Sequence, residues 1–155
     1  SLGCATTGSP PPKTQATQLQ IREFQTRNYD TNDTKMVMKA VLNVLQDDGF
    51  IIKNSDSDLN FLNAVREVDV ENKGKKFWAQ FWWGPWGHWE KNAVIDCTAN
   101  ISLFGTQSRV RLNFQMKRLN NKGEIIEVKP LEDPQFYQEF FSKVDKGIFI
   151  QKEKL

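Results

Sequence analysis

The most regular order in this chain is an alternation. Over AVIDCTANISLF, Ala93, Ile95, Cys97, Ala99, Ile101 and Leu103 take every second place, with Asp96, Thr98, Asn100 and Ser102 between them. A period of two puts the apolar set on one face of a strand and the polar set on the other. RVRLNFQMKRL repeats the pattern, with Val110, Leu112, Phe114 and Met116 between Arg109, Arg111, Asn113, Gln115 and Lys117. Gly105-Thr106-Gln107-Ser108 lies between the two runs, so they are expected to form a hairpin with one apolar face. Shorter strands are expected at FIIKN (50–54), FLNAVREVDV (61–70) and GEIIEVKP (123–130), and a weaker first strand at LQIREFQTR (19–27).

Two stretches change to a period near 3.6. Met36, Val37, Ala40, Val41, Val44 and Leu45 recur at three- and four-residue spacing, with Asp30, Thr31 or Asp33 available as N-cap and Gly49 as a left-handed stop. In DPQFYQEFFSKVDKGIFIQKE, Phe136, Phe140, Val144 and Ile148 line one side, Asp133 can cap, and Pro134 suits the first turn. The pattern predicts an α+β fold: a two-layer sandwich in which an antiparallel sheet of about five to six strands is covered by two helices. Residues 19–155 would form this single domain. Residues 1–18 are small, polar and Pro-rich and read as a tether.

Composition narrows the function. Twenty-one Lys and Arg against nineteen Asp and Glu leave a net charge of +2, too even a balance for the concentrated positive field of a nucleic-acid binder. No run approaches the roughly 18–20 apolar residues of a spanning helix. A Gly-rich phosphate loop, a nucleophile elbow and paired metal-ligand spacings are all missing from the sequence, and His88 is its only histidine. The chain is therefore read as non-enzymatic, with no catalytic residue, metal or cofactor expected. Asp56, Asp58, Asn60 and Glu67 fit positions of a calcium-loop template, but Phe61 stands where that template needs glycine, so a polar turn held by Asx-type hydrogen bonds is expected instead.

Two features remain. Cys97 belongs to the apolar side of its strand and is expected to be a buried structural thiol. Cys4 follows Leu2-Gly3 in a sequence that resembles the end of a bacterial lipobox, although Ser1 departs from the usual residue. REFQTRNYDT, VLNVLQDDGFII and DPQFYQEFFSKVDKGIFI are similar to segments of small bacterial outer-membrane lipoproteins of unassigned function. That resemblance implies a lipid on Cys4, attachment to the periplasmic face of the outer membrane, and an α+β domain on a tether. It carries no catalytic residue.

All five tryptophans fall in FWAQFWWGPWGHWEKN (77–92). Burial in the chain's own core, a lipid surface flanked by Lys73, Lys75 and Lys76, and a glycan or nucleic-acid platform are each compatible with such a run. A protein interface suits it best, because tryptophan is enriched at binding hot spots. Phe77, Trp78, Phe81, Trp82, Trp83, Trp86 and Trp89 are the residues expected to meet a partner. The function expected is that of an anchored scaffold or assembly subunit of an envelope complex, plausibly a secretion apparatus, with other envelope proteins as partners. A periplasmic lipid- or glycan-binding module is the alternative.

Overall fold

A computed structural model describes residues 15–67 and 93–153. Helix α1 (Gln15–Phe24) leads into β1 (Thr26–Tyr29), followed by α2 (Thr34–Asp47), β2 (Ile51–Asp56) and β3 (Phe61–Glu67). β4 (Ala93–Phe104), β5 (Gln107–Leu119), β6 (Ile125–Pro130) and α3 (Pro134–Glu153) complete the described chain. The six strands make one antiparallel sheet in the order β1-β5-β4-β3-β2, with β6 also paired to β5. The fold is the expected α+β sandwich, with three helices among the described residues where two were expected.

The third helix corrects one expectation. Leu19 and Ile21 suggest a strand over residues 19–27, yet Gln15–Phe24 is helical and β1 starts only at Thr26. Two alternating positions are too few to define a strand, whereas Gln, Ala, Leu, Arg and Glu are all good helix formers. Ile21, Phe24 and Gln25, spaced by three and four, turn towards the protein, and Leu19 is left 59% exposed. The Phe24 ring meets that of Tyr137 at 5.6 Å.

The central hairpin forms as its alternation requires. Cys97 pairs with Phe114, Ala99 with Leu112 and Ile101 with Val110, all of them buried. The turn is tighter than the sequence suggested. Phe104 already pairs with Gln107, leaving Gly105-Thr106 as a two-residue loop with φ of +66° at the glycine. A positive φ at the first of two turn positions is the arrangement that matches strand twist and favours glycine there.

α2 begins at Asp33, one of the three candidate caps, whose Oδ1 accepts the Met36 N–H at 3.0 Å. It ends in two bonds that satisfy its last carbonyls, Phe50 N to Leu45 O and Gly49 N to Gln46 O, with Gly49 at φ +92°. α3 starts as expected, Asp133 Oδ1 accepting the Gln135 N–H at 2.9 Å. Phe136, Tyr137, Phe140, Phe141, Val144 and Ile148 form its buried face. Gly147 of α3 faces Ala40 of α2, where a Cβ would make ordinary contact at 3.5 Å from that of Ala40.

The core is built around Phe114. Its ring lies 4.9 Å from Phe136, 5.1 Å from Phe140, 5.9 Å from Tyr137 and 6.0 Å from Phe50, mostly edge to face. Such pairs add to the burial energy of each ring.

One edge of β5 is shared end to end by two short strands. β1 pairs with Ser108 to Arg111, and β6 with Gln115 to Leu119. Between them the ladder changes partner, and buried backbone groups there must find other bonds. Leu112 N donates to Gln25 O at 2.9 Å, and Phe114 N donates to the Tyr137 hydroxyl at 3.1 Å. The same hydroxyl donates to Leu131 O at 2.9 Å and accepts from Gln25 Nε2 at 3.2 Å. Tyr137 thus closes the gap between β1 and β6 with a side chain. Burial raises its phenol well above the usual range, so the proton needed for Leu131 stays in place.

Candidate docking surface

The residues expected to carry function, Cys4, Phe77, Trp78, Phe81, Trp82, Trp83, Trp86 and Trp89, lie outside the described residues, as does His88. The attachment of the tryptophan segment is nevertheless defined by the strands that flank residues 68–92. β3 and β4 are direct neighbours, and Glu67, the last described residue of β3, pairs with Val94 at the start of β4. The chain therefore leaves and rejoins the sheet at adjacent places on one end.

Close to that end, the sheet face opposite the helices carries a compact polar group. Asp96 accepts Asn63 Nδ2 at 2.6 Å and pairs with the Lys117 ammonium. Asn63 Nδ2 also donates to Cys97 O at 3.0 Å. Three neighbouring strands are thus tied on their polar side, and the Asp96 side chain is only 16% exposed. Further along, Asn100, Ser102, Arg111 and Asn113 leave this face open to solvent.

The opposite end of the sheet carries the β2–β3 and β4–β5 turns. Asp56 Oδ1 accepts the N–H groups of Asp58 and Leu59 at 2.9 and 3.0 Å, and Asn60 takes a left-handed φ of +52°. This is the Asx-type turn expected from the sequence. Leu59 on this turn, and Leu103 and Phe104 on the next, are exposed, with the Arg109 guanidinium 3.8 Å from the centre of the Phe104 ring. No group of three or more His, Cys, Asp or Glu side chains is placed to hold a metal among the described residues. No helix among them is long and apolar enough to cross a membrane. Cys97 is buried as expected, and burial, reinforced by the nearby Asp96 charge, pushes its thiol up and away from thiolate chemistry.

A groove of about 420 Å³ runs between α2 and α3, with Ala40, Val44 and Gly147 along it and Asp47, Asp48 and Lys146 at its rim. No sequence pattern announces it, since it depends on how two helices cross. Asp48 pairs there with Lys143, both carboxylate oxygens lying 3.1 Å from Nζ. Burial still raises the Asp48 carboxyl above its ordinary value, against the pull of the Lys143 and Arg66 charges. A carboxyl raised by folding binds protons more readily in the folded state, so its contribution to stability falls as pH rises through the carboxylate range. Asp48→Asn is expected to raise the melting temperature at pH 7, because Lys143 is exposed enough to be solvated without its partner. Near pH 3 the gain should vanish, Asp48 then being largely protonated in both states. Thermal melts of the two proteins at both pH values check this.

The surface features absent from the sequence expectations are aliphatic. Ile125, Ile126 and Val128 of β6 are 55%, 51% and 45% exposed, and Ile51 of β2 is 64% exposed. Their signal was a pair of short apolar strands without alternation. No family model matches the sequence, and no curated protein matches it.

Proposed function

We propose that this chain is a non-enzymatic docking subunit of a bacterial envelope assembly. Lipid on Cys4 anchors it at the periplasmic face of the outer membrane, and residues 77–92 engage a neighbouring envelope protein. The observation that carries the proposal is the pairing of Glu67 with Val94. Two antiparallel neighbours in this register need only about two to five residues to connect them. This chain spends residues 68–92 there, some 25 in all, and places every tryptophan among them. An aromatic-rich stretch of this kind does not have the composition of a linker. The sheet and helices act as a rigid mount with the two ends of the segment fixed side by side. The Leu2-Gly3-Cys4 sequence and the polar stretch after it support the anchor.

The test replaces residues 68–92 by an Asn-Gly turn and compares partners captured by cross-linking in cells. The shortened protein should keep its circular dichroism spectrum and a cooperative melt, while the partners recovered with the intact chain disappear. Recovery of the same partners at the same level would refute docking through this segment. A diacyl or triacyl mass on Cys4 of the membrane-fractionated protein is the outcome expected for the anchor. An unmodified Cys4 in a soluble protein would refute it.

A further inference from the structure

We propose that β6 is a self-association edge: it pairs antiparallel with β6 of a second copy of this chain, across a two-fold axis through Val128. Among the described residues no strand lies on the far side of β6. The hydrogen-bond phase of that open side follows from two facts. Leu131 N donates to Phe114 O at 2.8 Å, and Gln115 pairs with Pro130. In an antiparallel ladder the backbone groups of successive residues point alternately to the two sides. Leu131, Lys129 and Glu127 therefore turn theirs to β5, and Val128 turns its N–H and C=O to the open edge. The nitrogen that Pro130 lacks as a donor also falls on the open side, where it costs β5 nothing.

A two-fold axis at Val128 sets Val128 opposite itself, with two reciprocal N–H to C=O bonds. It also sets Glu127 opposite Lys129 of the copy, twice. Opposite charges directly across a strand pair stabilise it, and like charges oppose it. Moving the axis to Glu127 or to Lys129 would place that residue against its own copy. The charge order Glu-Val-Lys thus favours one register, in which Glu127 adds the copy's Lys129 to its pairs with Arg118 at 3.2 Å and Lys129 at 3.9 Å in its own chain. The pairing covers Ile126 and Val128, which a strand edge otherwise leaves in water. Pro130, opposite Ile126, ends the ladder.

β2, the edge strand on the far side of the sheet, is built differently. A bulge between Ile52 and Asn54 breaks its register, and Lys53, Asn54, Ser55 and Asp56 are exposed polar residues. Bulges and charges are the devices that protect an edge from pairing. The contact at β6 is small, so the dimer is expected to be weak in solution and to be strengthened where copies are held close together. The pairing does not depend on the proposed anchor.

The test is sedimentation velocity on the full chain in reductant, so that no disulfide joins copies, from about 10 μM to about 1 mM. Wild type should pass from monomer to dimer. Lys129→Glu and Glu127→Lys should each weaken the dimer by about tenfold or more, since each sets like charges opposite one another at both contacts. An equimolar mixture of the two variants should form a heterodimer, in which both contacts are again complementary. Val128→Pro, which removes the outward donor, should abolish dimerisation, and circular dichroism verifies that each variant is folded. A wild type that stays monomeric throughout overturns the proposal. So does a dimer indifferent to Lys129→Glu and Val128→Pro, or a mixture of the charge variants that remains monomeric.

Discussion

Phe114→Ala is expected to remove about 4 kcal/mol of stability, a large part of the roughly 5–15 kcal/mol that holds a domain together. Phe114 is fully buried on the interior strand β5, and Phe50, Phe136, Tyr137 and Phe140 surround it from just before β2 and from α3. Truncation removes the ring and its edge-to-face contacts together. The cavity would be walled by strands and by a helix fixed at its own cap, so little collapse can fill it. Phe114→Leu keeps most of the volume and should cost about 1–1.5 kcal/mol. Urea unfolding of the three proteins measures both. A loss below about 1.5 kcal/mol for the alanine variant would show that the aromatic cluster does not centre on this ring.

Tyr137→Phe deletes one oxygen and is expected to cost about 3 kcal/mol. The ring and its contacts with Phe24 and Phe114 remain, so packing hardly changes. What disappears is the hydroxyl that serves Phe114 N, Leu131 O and Gln25 Nε2. Removing one partner from buried groups costs about 1–3 kcal/mol for each group left unsatisfied, more than the bond itself contributes. Gln25 retains a second, longer bond to Asn113 Oδ1 at 3.4 Å, so the backbone groups of Phe114 and Leu131 dominate the loss. Native-state hydrogen exchange gives a sharper readout than global stability. The Phe114 amide should lose protection in Tyr137→Phe, while amides in the β3–β4 pairing keep theirs until global unfolding. Unchanged protection at Phe114 would refute the bridging role.

These two positions also show how far the sequence could be read. The alternation at 93–104 and 109–119 defines the central hairpin because one face meets helices and the other does not, and period-two patterning reports that asymmetry directly. Caps at Asp33 and Asp133, and the stop at Gly49, were legible because each answers a local need of the backbone. α1 was misread as a strand because Leu19 and Ile21 show an alternation too short to outweigh helix propensity. Phe114 could be placed on the apolar face of its strand, but its central position follows only once α3 crosses β5. Tyr137 could be placed on α3. Its hydroxyl acquires a role only from the split edge of β5, a relation between residues far apart in the chain. For the candidate site, composition singled out the tryptophans and Cys4. The mounting of the tryptophan segment became visible in the Glu67–Val94 pair, since register is not written in the residues of one strand.

The shared edge of β5 also dictates the order in which the molecule can be finished. Gln25 and Tyr137 are 112 positions apart, and β1 has no strand to join until β5 has been made. A chain emerging from the ribosome or from an export channel, complete only as far as β4, carries α1 and β1 with nowhere to dock. Contacts this distant along the chain slow folding, because a long loop must close before any of them is rewarded. Pairing of β1 must therefore wait for β5, and the hydroxyl that joins the two halves of the edge arrives only with α3. A chain ending before Tyr137 could pair β1 with β5 but would lack the hydroxyl that meets Phe114 N and Leu131 O, so the seam between β1 and β6 would stay open.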